Sequence, residues 1–147
     1  MRKNKAIFKL LKITDAHFLA EYAAACDGIT NNSEINKIET RLKQRFKNRN
    51  YLGTVALAGN RPIGFQDGLI NNDVLELNEI YVMPQNQGKG VGKKLVEKII
   101  VMAEAKGVKR ISLYPEPNNE VMQKLAKKLN FRLTRVFYEK VLIKRKY

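Results

Sequence analysis

Three glycines at alternate positions, Gly88, Gly90 and Gly92, mark the part of this sequence best suited to hold a ligand. Glycine has no Cβ atom, so a ligand can approach the backbone closely there. A strand pattern over 74–82 precedes the glycines and a helical pattern follows them, which places their N–H groups at a helix N-terminus that favours an anion. The segment therefore predicts a phosphate-binding turn. The residues that we predict to form it are Gln87, Gly88, Lys89, Gly90, Val91, Gly92 and Lys93.

The spacing of these residues excludes two common phosphate-binding motifs. The dinucleotide fingerprint G-x-G-x-x-G requires a third glycine where the chain has Lys93. The P-loop requires four residues between its glycines, whereas Gly88 and Gly92 enclose three. The pattern (Gln/Arg)-x-x-Gly-x-(Gly/Ala) does fit, through Gln87, Gly90 and Gly92, and resembles the acetyl-CoA-binding motif of the Gcn5-related N-acetyltransferase (GNAT) superfamily. Taken alone, the same residues also fit a tight strand-to-helix turn with solvated lysines.

Two further segments resemble the same family, in the order in which the family has them. The segment from Asn119 through Leu125 to Phe131 is similar to the family's second signature, Asn-x-x-Ala-x-x-Leu-Tyr-x-Lys-x-Gly-Phe. The segment from Gly53 to Phe65 is similar to its central hairpin. The resemblance implies an α/β (α+β) GNAT fold, with a central mixed, mostly antiparallel sheet of about six to seven strands flanked by about four helices.

Hydrophobic periodicity and capping residues predict the element order β-α-α-β-β-β-α-β-α-β-β, which agrees with that fold. The strand at 111–114 is expected to lie parallel to the strand at 74–82, by the right-handed crossover rule. The predicted strands cover residues 6–13, 51–58, 62–68, 74–82, 111–114 and closing β structure from Phe131 to about Ile143. The predicted helices cover residues 14–26, 31–46 and 90–106, and the last one opens at 117–119.

Length and composition indicate a single domain over residues 1–147, since 44% of the residues are hydrophobic. No apolar run approaches the roughly 18 residues of a membrane span. The single cysteine excludes an internal disulfide, so we expect a cytoplasmic protein. The net charge of +14 suits an anionic ligand such as coenzyme A. Five cations between Arg41 and Arg49 leave open nucleic acid or the ribosome as a partner, without a supporting motif, and a homodimer is also left open.

The resemblance also implies where the cofactor binds. In the family the fourth and fifth strands splay apart, and pantetheine lies in that gap, bonded to main-chain groups of the fourth strand. Here these are the main-chain groups of Ile80, Tyr81 and Val82, with Asn119 as a further cofactor contact. The acetyl group passes directly from acetyl-CoA, the co-substrate, to an amine, so we expect no metal.

A base is needed in this chemistry, because a protonated primary amine cannot attack until a group such as a carboxylate accepts its proton. Side chains alternate along a strand, so the even-numbered residues of the fourth strand are expected to share one face: Glu76, Asn78, Ile80 and Val82. Glu79 and Tyr81 are expected to point the other way. We predict Glu76 as the base, Asn78 as a lining residue of the same pocket, and Glu79 as the reserve. The alternative is that Glu76 is an ordinary surface residue.

One departure from the family concerns the tyrosine that protonates the departing thiolate, because this chain has Ala126 at the matching position. A thiol with a pKa of ~8.5 still leaves without a general acid, only more slowly. Tyr114, at the end of the fifth strand, is our candidate substitute, with a place in the core as its alternative. Asn130 replaces a family glycine, which a left-handed helix end tolerates.

The expected function is therefore acetyl-CoA-dependent N-acetylation of a primary amine on a small molecule, or of a protein N-terminus or lysine. Residues 27–50 are asparagine-rich and basic, which disfavours strongly cationic acceptors such as polyamines or aminoglycosides unless an acidic pocket is hidden. An acceptor that carries a carboxylate or phosphate fits the charge better. Two alternatives stay open: a catalytically weak CoA-binding protein, and a basic module that interacts with nucleic acid or the ribosome.

Overall fold

The computed structural model describes residues 5–135 and 138–140, without the side chains of Cys26 and Glu79. The element order in this part of the chain is β-α-α-β-β-β-α-β-α, as predicted. The strands are β1 (Ile7–Leu10), β2 (Tyr51–Ala58), β3 (Arg61–Asn71), β4 (Val74–Val82) and β5 (Arg110–Leu113). The helices are α1 (Ala16–Cys26), α2 (Asn32–Phe46), α3 (Val91–Ala105) and α4 (Glu120–Lys128).

The described strands form one sheet in the order β1-β2-β3-β4-β5. The pairs from β1 to β4 are antiparallel: short turns join β2 to β3 and β3 to β4, whereas α1 and α2 lie between β1 and β2. β4 and β5 are parallel, because α3 connects them. Asn72, in the turn between β3 and β4, has a φ of 54°, a left-handed conformation that asparagine tolerates. The mixed, mostly antiparallel sheet is the one predicted.

Helices cover both faces of the sheet, which gives two layers of core. On one face, α1 and α2 pack on Val55 and Phe65 through residues such as Leu19 and Leu42. On the other face, α3 packs on the sheet through Leu95, Val96 and Ile99. The sheet therefore presents two chemically separate sides, and the strand ends between them position the candidate site.

The end of the described chain differs from the predicted closing β structure. Residues 131–135 and 138–140 form no strand, and the other positions of that prediction lie outside the described residues. The preceding helix ends as predicted, since Asn130 has a φ of 62° and the N–H of Phe131 donates to the carbonyl of Ala126 at 2.9 Å. This is the left-handed helix end that asparagine supports in place of glycine.

Within residues 5–135 and 138–140, no helix combines the length and the apolar character needed to cross a membrane. The same residues contain no group of three or more His, Cys, Asp or Glu side chains placed to hold a metal ion.

Candidate active site

A gap opens between β4 and β5 where their pairing stops. The register runs from Val74 opposite Arg110 to Leu77 opposite Leu113, where β5 ends, while β4 continues to Val82. Residues 80–82 of β4 are therefore paired with β3 on one side only, among the strands described. This is the end of β4 at which the family resemblance implies a gap for pantetheine.

Main-chain groups of β4 are directed into this gap. The N–H of Met83 donates to the carbonyl of Ile63 on β3 at 3.0 Å. Because main-chain groups alternate in an antiparallel ladder, those of Tyr81 also face β3, whereas those of Ile80 and Val82 face the gap. Of the three predicted pantetheine contacts, Ile80 and Val82 can therefore offer main-chain hydrogen bonds, and Tyr81 cannot in this register.

A β-bulge interrupts β4 immediately before the gap. The register shifts between Gln66 and Gly68, so that Asp67 on β3 opposes two residues of β4, Asn78 and Glu79. The fully buried side chain of Gln66 fixes this arrangement, because its Nε2 donates to the carbonyl of Asn78 at 2.7 Å and to that of Asp67 at 2.9 Å. A bulge of this kind re-aims the side chains that follow it.

The predicted division of β4 side chains between two faces is wrong because of this bulge. Leu77 packs on the α3 side before the bulge, and Ile80 and Val82 pack on the same side after it. Glu76 lies on the opposite face, toward α1 and α2, and Tyr81 packs on that face as well. One extra residue reverses the alternation. Glu76 therefore shares a face with Tyr81, and not with Ile80 and Val82.

The predicted acid–base residues lie at the mouth of the gap. Glu76 is half-buried and pairs in register with Ser112 of β5. Tyr114 directly follows β5 and is 74% exposed, so its alternative assignment to the core is wrong. Leu113 packs on the α3 side. Because side chains alternate along a strand, the side chain of the next residue, Tyr114, is expected on the Glu76 face. Asn78 is exposed, and the side chain of Glu79 lies outside the described part of the chain.

The glycine turn forms an open helix N-terminus. Gly88 and Gly90 have φ values of 73° and 80°, in the left-handed region, and Gly90 is the N-cap of α3. The first helical hydrogen bond runs from Lys94 N–H to the carbonyl of Gly90 at 3.1 Å, so the N–H groups of residues 91–93 have no acceptor within the helix. Gln87 Nε2 donates to the carbonyl of Val82 at 3.1 Å, which ties the turn to the end of β4.

Gly92 brings the turn, the gap and α4 together. A Cβ at this position would lie 3.7 Å from a side-chain carbon of Leu125 and 3.8 Å from carbons of Ile80 and Val82. Asn119 is the N-cap of α4, and its Oδ1 accepts from the N–H of Met122 at 3.1 Å. The predicted cofactor residues on β4 and in the turn thus meet at Gly92, and Leu125 of α4 packs against the same position.

The positive charge beside this turn is exposed to solvent. Lys89, Lys93 and Lys94 are all exposed. Lys93 Nζ lies 3.8 Å from a carboxylate oxygen of Glu97, and Lys94 Nζ lies 5.9 Å from the centre of the Phe8 ring. These side chains can move toward an anion bound at the turn at little cost, because exposed ion pairs contribute little to stability.

A cavity of about 190 Å³ lies on the Glu76 face, between α1, α2 and the sheet. Its floor is formed by Phe65 and Tyr81, whose rings stack with centroids 4.8 Å apart at an angle of 16°. Sequence patterns give no signal for this cavity, since its walls come from segments far apart in the chain. The remaining lining residues are Ala23, Asp27, Ile29, Ile38, Arg41, Leu42 and Arg45.

A buried carboxylate joins the wall of the cavity to the bulge. Asp67 is 2% exposed, and its Oδ2 accepts from Arg45 Nη1 at 3.0 Å and from the Tyr51 hydroxyl at 2.5 Å. Burial, followed by the charge of Asp67, raises the pKa of Tyr51 above its ordinary value, so this hydroxyl remains a donor. Arg45, one of the five cations between Arg41 and Arg49, therefore has a buried acid partner within the protein.

Two solved structures share this fold. An aminoglycoside N-acetyltransferase, AAC(6')-Iy, in complex with CoA superimposes with a TM-score of 0.77 at 20% identity, over 99% of this chain and 97% of that chain. A ribosomal-protein-alanine N-acetyltransferase from Brucella melitensis biovar Abortus superimposes with a TM-score of 0.70 at 18% identity, over 95% of this chain and 99% of that chain. At these identities the likeness concerns the fold alone.

Sequence comparisons give the family. The aminoglycoside N(6')-acetyltransferase type 1 of Salmonella typhimurium is 30% identical in an alignment 97 positions long, which covers 58% of this chain and 67% of that protein. The profile of the acetyltransferase (GNAT) family matches residues 17–131, a range that includes the gap, the bulge and the glycine turn. The chain therefore belongs to the acetyltransferase (GNAT) family and is an acyltransferase.

Proposed function

We propose that the protein transfers the acetyl group of acetyl-CoA directly to a primary amine, of a small molecule or of a protein N-terminus or lysine. The observation that carries this proposal is the meeting of the β4–β5 gap with the glycine turn at Gly92, whose Cβ position lies 3.8 Å from carbons of Ile80 and Val82. A cofactor with a phosphate at one end and a hydrogen-bonding arm can occupy both features at once. Bound acetyl-CoA would supply the activated acetyl group.

The glycine turn is assigned to the phosphates of the cofactor. The N–H groups of residues 91–93 point out of the helix N-terminus, where the dipole stabilises negative charge. Gly88 and Gly90 leave the backbone open to the ligand, since a Cβ on either would meet no atom within 4 Å. Lys89 and Lys93 add mobile positive charge. The main-chain groups of Ile80 and Val82 are assigned to the pantetheine arm.

Acid–base roles are assigned to Glu76 and Tyr114. Glu76 accepts the proton that the acceptor amine must lose, directly or through a water molecule. Tyr114 presents a hydroxyl from which a departing thiolate can take a proton. Both residues emerge on the face that carries the cavity, so the acceptor is expected to approach from the side of α1 and α2.

The test is release of free thiol from acetyl-CoA in the presence of primary amines, with Glu76→Gln as the variant. We expect kcat to fall by about 10²–10⁴-fold, the usual contribution of a general base, while the Kd for acetyl-CoA stays unchanged. Glu104→Gln, at an exposed position of α3, is the matched control and should keep full activity. Unchanged kcat in Glu76→Gln would remove this residue from the mechanism. Absence of thiol release with every amine would contradict the proposed function itself.

An aminoglycoside is a second candidate acceptor. It is favoured by the 30% identity to the Salmonella typhimurium aminoglycoside N(6')-acetyltransferase. The fold does not decide the question, since the Brucella structure with the same fold is named for a ribosomal-protein alanine. An aminoglycoside with a free 6'-amine should therefore be included in the screen, and a kcat/KM above that of simple amines would support this acceptor.

A further inference from the structure

We propose that the cavity on the Glu76 face binds the acceptor, and that the acceptor is a small amine carrying an anionic group, a carboxylate or a phosphate, held by Arg41. This inference rests on the proposed acetyl transfer and adds the chemical class of the acceptor. It depends on three features of the cavity: its place beside the gap, its size, and the charges on its wall.

The cavity adjoins β4 at Tyr81 and lies on the same face of the sheet as Glu76, which is not itself among its lining residues. Tyr81 forms part of its floor, and the residues on either side of Tyr81 direct their main-chain groups into the gap. Arg45 in the wall is bonded to Asp67, the residue opposite the bulge. A larger cavity of about 480 Å³ lies against Met83 and the β2–β3 turn, past the end of β4. Phe18, Tyr22 and Met83 place the larger cavity on the same face of the sheet. The smaller cavity is distinguished by Tyr81 and by Arg45, the partner of Asp67, in its wall.

Its size suits a small acceptor. Sites for drug-sized ligands usually enclose about 300–1,000 Å³. The cavity encloses about 190 Å³, and its walls include the apolar side chains of Ile29, Ile38 and Leu42. A compact molecule with a short apolar part fits these dimensions, whereas a molecule of several rings would extend well outside them.

The charges on the wall are complementary to an amine that also bears an anion. Arg45 Nη1 is already bonded to buried Asp67 at 3.0 Å. Arg41 also lines the cavity, and no described carboxylate lies within 4.0 Å of it. The pKa of Glu34 is lowered first by Lys37 and last by the charge of Arg41, so this acid interacts with Arg41 only weakly. Its Nε is 3.4 Å from the carbonyl of Lys37, which anchors the side chain on α2. The guanidinium of arginine matches the two oxygens of a carboxylate or phosphate.

The surrounding charge favours the same class of acceptor. Among the described residues that line the cavity, Asp27 is the one acid. Its carboxylate can attract the ammonium group of the acceptor. The neighbouring cations of α2 have acid partners, since Lys37 Nζ lies 2.8 Å from Glu34 and Lys43 Nζ lies 2.6 Å from Glu39. Arg41 is thus the cation of the wall that is available for a ligand, and a polycationic acceptor would be repelled by it.

The experiment compares matched acceptors with matched variants. The acceptors are the L-α-amino acids, their methyl esters, which keep the amine but lose the carboxylate, phosphoethanolamine, and spermidine as a polycation. The variants are Arg41→Gln and the control Lys47→Gln, which removes the same charge from an exposed position outside the cavity. Thiol release gives KM and kcat for each acceptor. Binding of N-acetyl-L-amino acids in the presence of CoA, followed by thermal shift, gives a readout that needs no catalysis.

We expect the wild type to use an amino acid or phosphoethanolamine at least tenfold better than the ester or spermidine. Arg41→Gln should raise the KM for the anionic acceptor by about 10–100-fold, as expected for loss of hydrogen bonds to a charged group. Its KM for acetyl-CoA should be unchanged, and Lys47→Gln should behave as wild type. If the amino acid is the better acceptor, the preferred anion is a carboxylate. If phosphoethanolamine is the better acceptor, the preferred anion is a phosphate.

Three results would each overturn the inference. They are equal kcat/KM for the amino acid and its methyl ester, highest activity with spermidine, and an unchanged KM for the anionic acceptor in Arg41→Gln. If no amine releases thiol, the proposed function fails, and the binding arm still decides the inference. N-acetyl-L-amino acids that stabilise the wild type and not Arg41→Gln would support the anionic site. Absence of any shift in the wild type would overturn it.

Discussion

Gly90 is the residue at which the phosphate-binding turn is most directly tested. It is the N-cap of α3, with φ of 80° and ψ of 11°, in the left-handed region. A Cβ on Gly90 would meet no atom within 4 Å, so the cost of Gly90→Ala is conformational and not steric. Left-handed backbone costs an L residue about 1–2 kcal/mol, so we expect the free energy of unfolding to fall by about this amount.

Gly92→Ala is the matched control for this substitution. Gly92 lies inside α3 without a positive φ, and its Cβ would lie 3.7–3.8 Å from three apolar side-chain carbons, which is ordinary contact. Alanine is favoured over glycine in a helix by about 0.8–1.0 kcal/mol. Without ligand, the two variants should therefore differ by about 2–3 kcal/mol. That difference is about 4–12 °C in Tm, at about 2–4 °C per kcal/mol for a chain of this size.

Acetyl-CoA distinguishes a role in binding from a role in folding. A ligand at 100 times its Kd stabilises the folded state by about 2.7 kcal/mol. We expect Gly90→Ala to bind at least tenfold more weakly, because a shifted turn no longer aims the N–H groups of residues 91–93 at one anion. At the same concentration, acetyl-CoA would then stabilise the folded Gly90→Ala variant by about 1.4 kcal/mol or less. Gly92→Ala should keep the full stabilisation by acetyl-CoA, because the pattern (Gln/Arg)-x-x-Gly-x-(Gly/Ala) admits alanine at this position and the added Cβ is directed at Leu125, Ile80 and Val82.

The assay is thermal unfolding of the three proteins with and without acetyl-CoA, with Kd values from titration calorimetry. If Gly90→Ala is destabilised but keeps the full shift with acetyl-CoA, Gly90 serves only to start the helix, and the assignment of the turn to the phosphates is refuted. If acetyl-CoA raises the Tm of none of the three proteins, the wild type does not bind it, and the proposed function is contradicted as well.

Substitutions at three other places have expected outcomes. Lys93→Glu should weaken acetyl-CoA binding by about tenfold at low salt, whereas Lys98→Glu, equally exposed on α3, should not; calorimetry at two salt concentrations checks both. Asp67→Asn should lower the free energy of unfolding by about 1.5–3 kcal/mol, because two donors lose a charged acceptor, and an unchanged denaturation midpoint would contradict this. A hydrogen bond of 2.7 Å to Glu39 raises the pKa of His17 above its ordinary value of 6.5. The stabilisation by this pair is therefore complete below pH 6.5 and is lost as the pH rises through the raised pKa. The Tm advantage of wild type over His17→Gln should shrink as the pH rises above 6.5 and through the raised pKa of His17, and an advantage that grows over this range refutes the linkage.

Local patterns were sufficient to predict most elements and the glycine turn. The strand at 74–82 and the start of α3 depend on residues close in sequence, since alternating apolar residues, glycines and a helical stripe each act over a few positions. The helix end at Asn130 follows in the same way, because a left-handed φ is a property of one residue and its immediate neighbours. The order of strands and helices could then be inferred from the chain itself.

Other features depend on contacts between distant segments, which sequence periodicity does not reveal. The face of Glu76 was predicted correctly relative to its neighbours only up to Leu77, because a bulge held by Gln66, on another strand, reverses the alternation beyond it. Likewise, Arg45 looks like a solvated cation in the sequence, yet it is bonded to Asp67, 22 positions away.

The sequence by itself thus determined the elements of this acetyltransferase, the turn suited to phosphate and the family to which the chain belongs. Only the tertiary structure decided which side chains share a face of β4, which main-chain groups enter the gap, and that Arg41 lines a small cavity beside it. The physical reason is that local conformation follows from neighbours along the chain. Strand register and cavity shape follow from hydrogen bonds and packing between segments that only folding brings together.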